Sequence, residues 1–147
     1  MGTEEPKCLS LYTYVDPYII MKDLGKMKGL RFLSVTFFSG RPSRKVEFNT
    51  CGPCFLDVLG VLYWHKYPFR TLPKTFQAKN LVSLEMPHSQ VEQLWDGGEH
   101  KVLHKLRFLD LSDSKLRILD LRLAPNLETL DLQRCSDLEE LPDDHDV

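Results

Sequence analysis

Leu106-Arg107-Phe108-Leu109-Asp110-Leu111 and, 21 residues further on, Leu127-Glu128-Thr129-Leu130-Asp131-Leu132 carry one frame, L-x-x-L-x-L. Large apolar residues fill the same frame at Leu30, Leu33, Val35, at Leu59, Leu62, Trp64, and at Leu81, Leu84, Met86. The five starts lie 29, 22, 25 and 21 residues apart, a spacing that points to an internal structural repeat. Positions four and six of each frame fall on one side of a strand, because side chains alternate with period two. A single turn cannot bury these residues alone. Stacked turns can, by building a parallel sheet with a continuous apolar core behind it. A second apolar anchor closes several units, at Leu72-Pro73, Leu94-Trp95, Leu119 and Leu141-Pro142.

Frame and period are those of leucine-rich repeats. The expected fold is an α/β leucine-rich-repeat solenoid of about five irregular turns, with a parallel β-sheet on the concave face and loops, 3-10 turns and short helices on the convex face. An ordinary mixed α/β domain leaves the shared frame unexplained. Turn-rich connectors join the strands, and Glu99–Lys105 is the best helical segment among them. Position nine, often a polar turn residue, holds Phe38, Tyr67, Ser89, Ser114 and Cys135, so the repeats are uneven. Residues 1–29 read as a lead-in, with a short strand at Cys8-Leu9-Ser10-Leu11 and a short helix over Leu24–Lys28. A charged, turn-rich insert through Gly40-Arg41-Pro42 lengthens the first interval. The repeat region runs over 30–147 and reads as truncated, since Asp143–Val147 offers no polar cap.

Composition narrows the function classes. The 147 residues, 42% hydrophobic and 27% charged, carry a net charge of -2, which gives no polybasic footprint for nucleic acid. The longest apolar stretch, Phe55–Trp64, is interrupted by Asp57 and is far short of the roughly 20 residues of a membrane helix. Met1-Gly2-Thr3-Glu4-Glu5-Pro6 is no signal peptide, and Pro6 spoils a myristoylation motif. Cys8, Cys51, Cys54 and Cys135 then read as reduced thiols in a cytoplasmic protein.

Several strings go beyond the generic repeat. Lys26-Met27-Lys28-Gly29-Leu30-Arg31-Phe32-Leu33 resembles the KMxxLRFL string that opens the repeats of plant TIR-type nucleotide-binding leucine-rich-repeat disease resistance proteins. Leu62-Tyr63-Trp64-His65-Lys66-Tyr67-Pro68-Phe69-Arg70-Thr71-Leu72-Pro73 is similar to that family's LxWxxYPxxxLP turn. Asn80–Met86, Val91–Gly97 and Ala124–Leu132 are similar to its NLVxLxM, QLWxG and APNLExLDL strings. The resemblance runs from about residue 20 to residue 142. It implies an intracellular immune receptor in which a TIR domain and a nucleotide switch accompany these repeats. In such receptors the repeats sense a pathogen effector or an altered host protein and help hold the switch off. No G-x-x-x-x-G-K-S/T loop is present, so nucleotide binding does not carry over, and neither does TIR chemistry.

Other groupings suggest chemistry. Cys51-Gly52-Pro53-Cys54 equals the thioredoxin redox tetrapeptide, which makes a small thiol oxidoreductase the alternative function. Thr50 stands where thioredoxins usually have Trp, and the following residues belong to the Leu62, Trp64 frame. Zinc would need two further ligands; His65 is the nearest, and no partner set follows. His100 and His104 lack the Glu of a metalloprotease motif. Trp64, Met86 and Trp95 sit at core positions of the frame. Neither catalysis, a cofactor nor a metal is expected. A truncated fragment without its own ligand is the remaining alternative.

Positions three, five and seven point away from the core. Among them Phe32, Tyr63, His65, Glu85, Phe108, Asp110 and Asp131 are the candidate protein-binding residues. Position five reads Ser34, Tyr63, Glu85, Asp110, Asp131, which sets three carboxylates on neighbouring strands about 4.8 Å apart. Solvation or Arg107 would neutralise them; alternatively they form a docking strip for a basic surface, either a protein ligand's or the receptor's own nucleotide-binding domain's.

Overall fold

The computed structural model describes residues 7–14, 16–37, 56–96 and 101–139. Six strands, β1 (Cys8–Thr13), β2 (Phe32–Phe37), β3 (Val61–His65), β4 (Ser83–Glu85), β5 (Phe108–Asp110) and β6 (Thr129–Asp131), form one sheet in sequence order. Every neighbouring pair is parallel. The chain is a leucine-rich-repeat solenoid.

Register explains its stability. Leu9, Leu33, Leu62, Leu84, Leu109 and Leu130 align strand to strand as one ladder. A second ladder runs Leu11, Val35, Trp64. The first leucines of the frames, Leu30, Leu59, Leu81 and Leu106, are fully buried behind the sheet, with Leu72, Leu94 and Leu119 closing the core from the back. Each strand from β2 to β6 is preceded by the same tight turn, in which Leu30, Leu59, Leu81, Leu106 and Leu127 donate their N–H to the carbonyl three residues earlier. Asn80 and Asn126, immediately ahead of their leucines, each reach back one turn. Their Nδ2 atoms donate to the carbonyls of Asp57 (3.1 Å) and His104 (2.6 Å), which gives the N-L strings a structural role.

Past β3, β4, β5 and β6 the chain turns sharply at position eight. Lys66, His88, Asp113 and Arg134 all adopt the left-handed conformation, with φ between 55° and 63°, although none is glycine. Position nine then tucks beneath the bend. The Tyr67 hydroxyl donates to the Thr71 carbonyl (2.7 Å), and the Cys135 thiol donates to the Leu111 carbonyl (2.9 Å). On the back, Glu92, Arg117 and Glu139 donate backbone N–H groups to Arg70, Glu92 and Arg117 in turn. Their side chains alternate in charge, with Arg117 and Glu139 3.0 Å apart.

Three expectations need correction. The lead-in supplies a strand, expected at Cys8–Leu11, that runs on to Thr13 and joins the strands of the five frames in the sheet. Its helix is α1 (Pro17–Leu24), which ends where Leu24–Lys28 was expected to begin. Pro17 suits a first helical position, Ile20, Met21 and Leu24 bury one face, and Gly25 follows the end. Residues 101–105 of the expected Glu99–Lys105 helix are not helical. There Leu103 is buried and donates its N–H sideways to Leu123 (2.6 Å), so pairing between turns prevails over local helix formation. The convex side instead carries a 3-10 turn, Leu121–Leu123, capped by Asp120. Gly40-Arg41-Pro42 and Leu141-Pro142 lie outside the described residues.

The leucine ladder is not equally buried throughout, since Leu109 is 2% exposed and Leu130 36%. Leu109→Ala is expected to lower the unfolding free energy by about 2–5 kcal/mol, because it opens a cavity between turns. Leu130→Ala should cost less than about 1.5 kcal/mol. Urea unfolding of both variants checks this, and equal losses would contradict the burial difference.

Candidate functional site

The outward side chains of the sheet form three columns whose order follows from strand register. Phe32, Val61, Ser83, Phe108 and Thr129 make the first. Ser10, Ser34, Tyr63, Glu85, Asp110 and Asp131 make the second. Tyr12, Thr36 and His65 begin the third. All seven candidate residues therefore lie on this one face. Phe32 and Phe108 are 38% and 42% exposed, so both present apolar surface to solvent.

Glu85, Asp110 and Asp131 stand on three adjacent strands. Like charges about 5 Å apart repel by roughly 0.8 kcal/mol in water. Arg107, the cation expected to neutralise them, pairs with Glu128 at 3.5 Å. Among the described residues no ion pair reaches Glu85, Asp110 or Asp131. The two aspartates do have backbone partners, which the sequence reading missed. Asp110 Oδ1 accepts the Ser112 N–H and Asp131 Oδ1 accepts the Gln133 N–H, both at 2.9 Å, so each carboxylate ends its own strand. Burial, followed by the fields of Glu85, Asp110 and Tyr12, raises the Tyr63 hydroxyl above its ordinary pKa and keeps it a protonated donor.

A second row lies along the ends of the strands. His65 and His88 meet edge to face with centroids 5.2 Å apart, and His88 Nε2 is 3.8 Å from Asp113. Asp113 accepts two hydrogen bonds from the Arg134 guanidinium, at 2.6 and 2.7 Å. Those bonds and the charge of Arg134 hold the Asp113 carboxyl below its ordinary range. His65 has its pKa lowered by burial first, then by His88 and Lys66. Only the equal offset of His88, Asp113 and Arg134 from their frames could have revealed this row in the sequence. Tyr12 was missed because β1 lies outside the visible frames, although Cys8-Leu9-Ser10-Leu11-Tyr12 does alternate.

Among the described residues no group of three His, Cys, Asp or Glu is placed to hold a metal ion. Cys51, Cys54 and His100 lie outside the described residues. No helix among those described is long and apolar enough to cross a membrane.

Comparison with known proteins agrees with the geometry. A family model described as Leucine Rich Repeat matches residues 80–97, the turn that carries β4. From Arabidopsis thaliana, Disease resistance-like protein DSC1 is 46% identical over 86 residues, 57% of this chain and 7% of its own length. Disease resistance protein RML1A is 42% identical over 125 residues, 82% of this chain and 12% of its own. A probable disease resistance protein from the same plant is 32% identical over 144 residues, 97% of this chain and 8% of its own. These relatives are much longer; the chain spans 7–12% of them. Fold, repeat model and relatives together define a leucine-rich-repeat region of the plant disease resistance protein kind.

The His65 shift carries a pH dependence. Its proton leaves more readily in the folded chain than in the unfolded one. As pH falls below the ordinary 6.5, the unfolded chain therefore takes up a proton that the fold resists. Stability is expected to decline across that fall and to recover fully above it. His65→Gln should flatten the decline. Urea unfolding over a pH series tests this, and parallel curves for the two proteins would contradict it.

Proposed function

We propose that this chain is the protein-recognition part of a plant intracellular immune receptor, working from the open face of its sheet and performing no catalysis. The observation that carries the reading is register. Six parallel strands hold outward side chains in fixed columns, and among the described residues no ion pair reaches the Glu85, Asp110, Asp131 column. A rigid face rimmed by Phe32, Tyr63, His65 and Phe108 suits a protein surface, and its negative column disfavours nucleic acid. Its partner is a pathogen effector, a host protein or the receptor's own nucleotide-binding domain. Support for the immune setting comes from the resistance proteins to which the chain is similar, whose whole length it does not cover.

Reversing one charge tests the reading. In a receptor carrying this chain as part of its repeats, Asp110→Lys should weaken the contact by more than about tenfold at low salt, where screening is least. The response is then lost if the face reads a ligand, and becomes constitutive if the face restrains the switch. An unaltered response would overturn the proposal. The non-catalytic clause has its own check: the purified chain should not turn over insulin disulfides, and turnover lost in Cys51→Ser would favour a thiol oxidoreductase.

A further inference from the structure

The open face changes character along its length. On β1–β3 its central column is neutral, Ser10, Ser34 and Tyr63; on β4–β6 it is wholly anionic, Glu85, Asp110 and Asp131. Tyr63 marks the boundary, in register with Glu85 on the next strand. Phe108 stands two residues before Asp110 on the same face of β5, exposed and about 7 Å away. Carboxylates bordered by aromatic rings are thus presented together. Two guanidinium groups that flank the strands have partners of their own, Arg107 with Glu128 and Arg134 with Asp113. Among the described residues no ion pair reaches Glu85 or Asp110, while the field of Asp131 falls on Arg134.

We propose that the Glu85–Asp110 step of this face seats an arginine side chain from an extended segment of a protein partner. Its guanidinium edge lies against the two carboxylates, and its plane lies against the Tyr63 ring. This deepens the recognition reading above and rests on it. Charge complementarity requires a cation, and the flanking rings decide which one. Guanidinium is planar, presents a rigid fork of donors, is weakly hydrated and stacks on aromatic faces. Ammonium is a compact, strongly hydrated point charge that gains from the carboxylates but little from the rings. The bond from Ser112 N–H to Asp110 Oδ1 fixes that carboxylate, so the second oxygen is presented without a rotamer search.

Titration of the full chain with two blocked pentapeptides, Ala-Leu-Arg-Leu-Ala and Ala-Leu-Lys-Leu-Ala, tests the assignment by NMR at low ionic strength. The arginine peptide is expected to shift the amides of Glu85 and Asp110 and the ring signals of Tyr63, and to bind about tenfold more tightly than the lysine peptide. Glu85→Gln combined with Asp110→Asn should weaken it by at least about tenfold. Both changes keep side-chain shape, and Asn at 110 still accepts the Ser112 N–H. Tyr63→Thr should retain charge-driven binding and lose the preference for arginine. Unfolding curves of the variants confirm that each is folded. Absent binding, equal affinities for the two peptides, or shifts mapping away from β3–β5 would overturn the assignment. If the peptides fail while Asp110→Lys still alters the receptor response, the arginine seat falls and the recognition reading stands.

Discussion

No turn of this chain can bury its own leucines, and every other feature follows from that. A strand of three to six residues exposes both edges and leaves its inward side chains half covered, so it persists only when pressed between neighbours. The solution is lateral. Backbone hydrogen bonds run from turn to turn along the sheet, through the tight turns ahead of it and along the back. Side chains reinforce the same direction, as with Asn80, Asn126 and Cys135, each bonded to a carbonyl of the preceding turn. Stability is therefore a nearest-neighbour property, with each turn's share depending on the two beside it.

The same arrangement fixes the order of side chains on the open face. Parallel pairing without a slip keeps Tyr63, Glu85, Asp110 and Asp131 in one line, since a shift of one residue would turn the leucines outward and the carboxylates inward. The burial that fixes the core thus fixes the row. Aspartate suits two of its positions for a second reason, because Asp110 and Asp131 each end a strand by accepting an N–H two residues on. A carboxylate needed by the backbone is also one presented to solvent.

How much of this the sequence disclosed depended on period. Leu33, Leu62, Leu84, Leu109 and Leu130 could be placed in one ladder before any coordinates, because the frame repeats and only one pairing buries all of them. The outward columns followed from alternation. What was illegible had no period of its own. Helix α1 is a local matter of Pro17, Gly25 and three apolar side chains, and the frame carries no information about it. Glu99–Lys105 looks helical by composition, yet Leu103 is drawn into lateral pairing that no local rule anticipates. The left-handed bends at Lys66, His88, Asp113 and Arg134 escaped notice because no glycine marks them. The row of ring and ion-pair contacts built on them escaped with them.

Unequal intervals behind equal strands have a consequence for how such a chain can change. Successive frames are separated by 22, 25 and 21 residues from Leu59 to Leu127, and the sheet absorbs the difference without losing register. Length differences between frames are taken up outside the strands, whose register is kept. Duplicating or deleting one whole turn would leave every remaining turn with neighbours of the usual shape, and would move the acidic row by one strand spacing relative to Tyr63. The outward pattern can thus be shuffled in units of a turn while the inward pattern stays constant, so new surfaces arise by rearranging cassettes as well as by changing single residues.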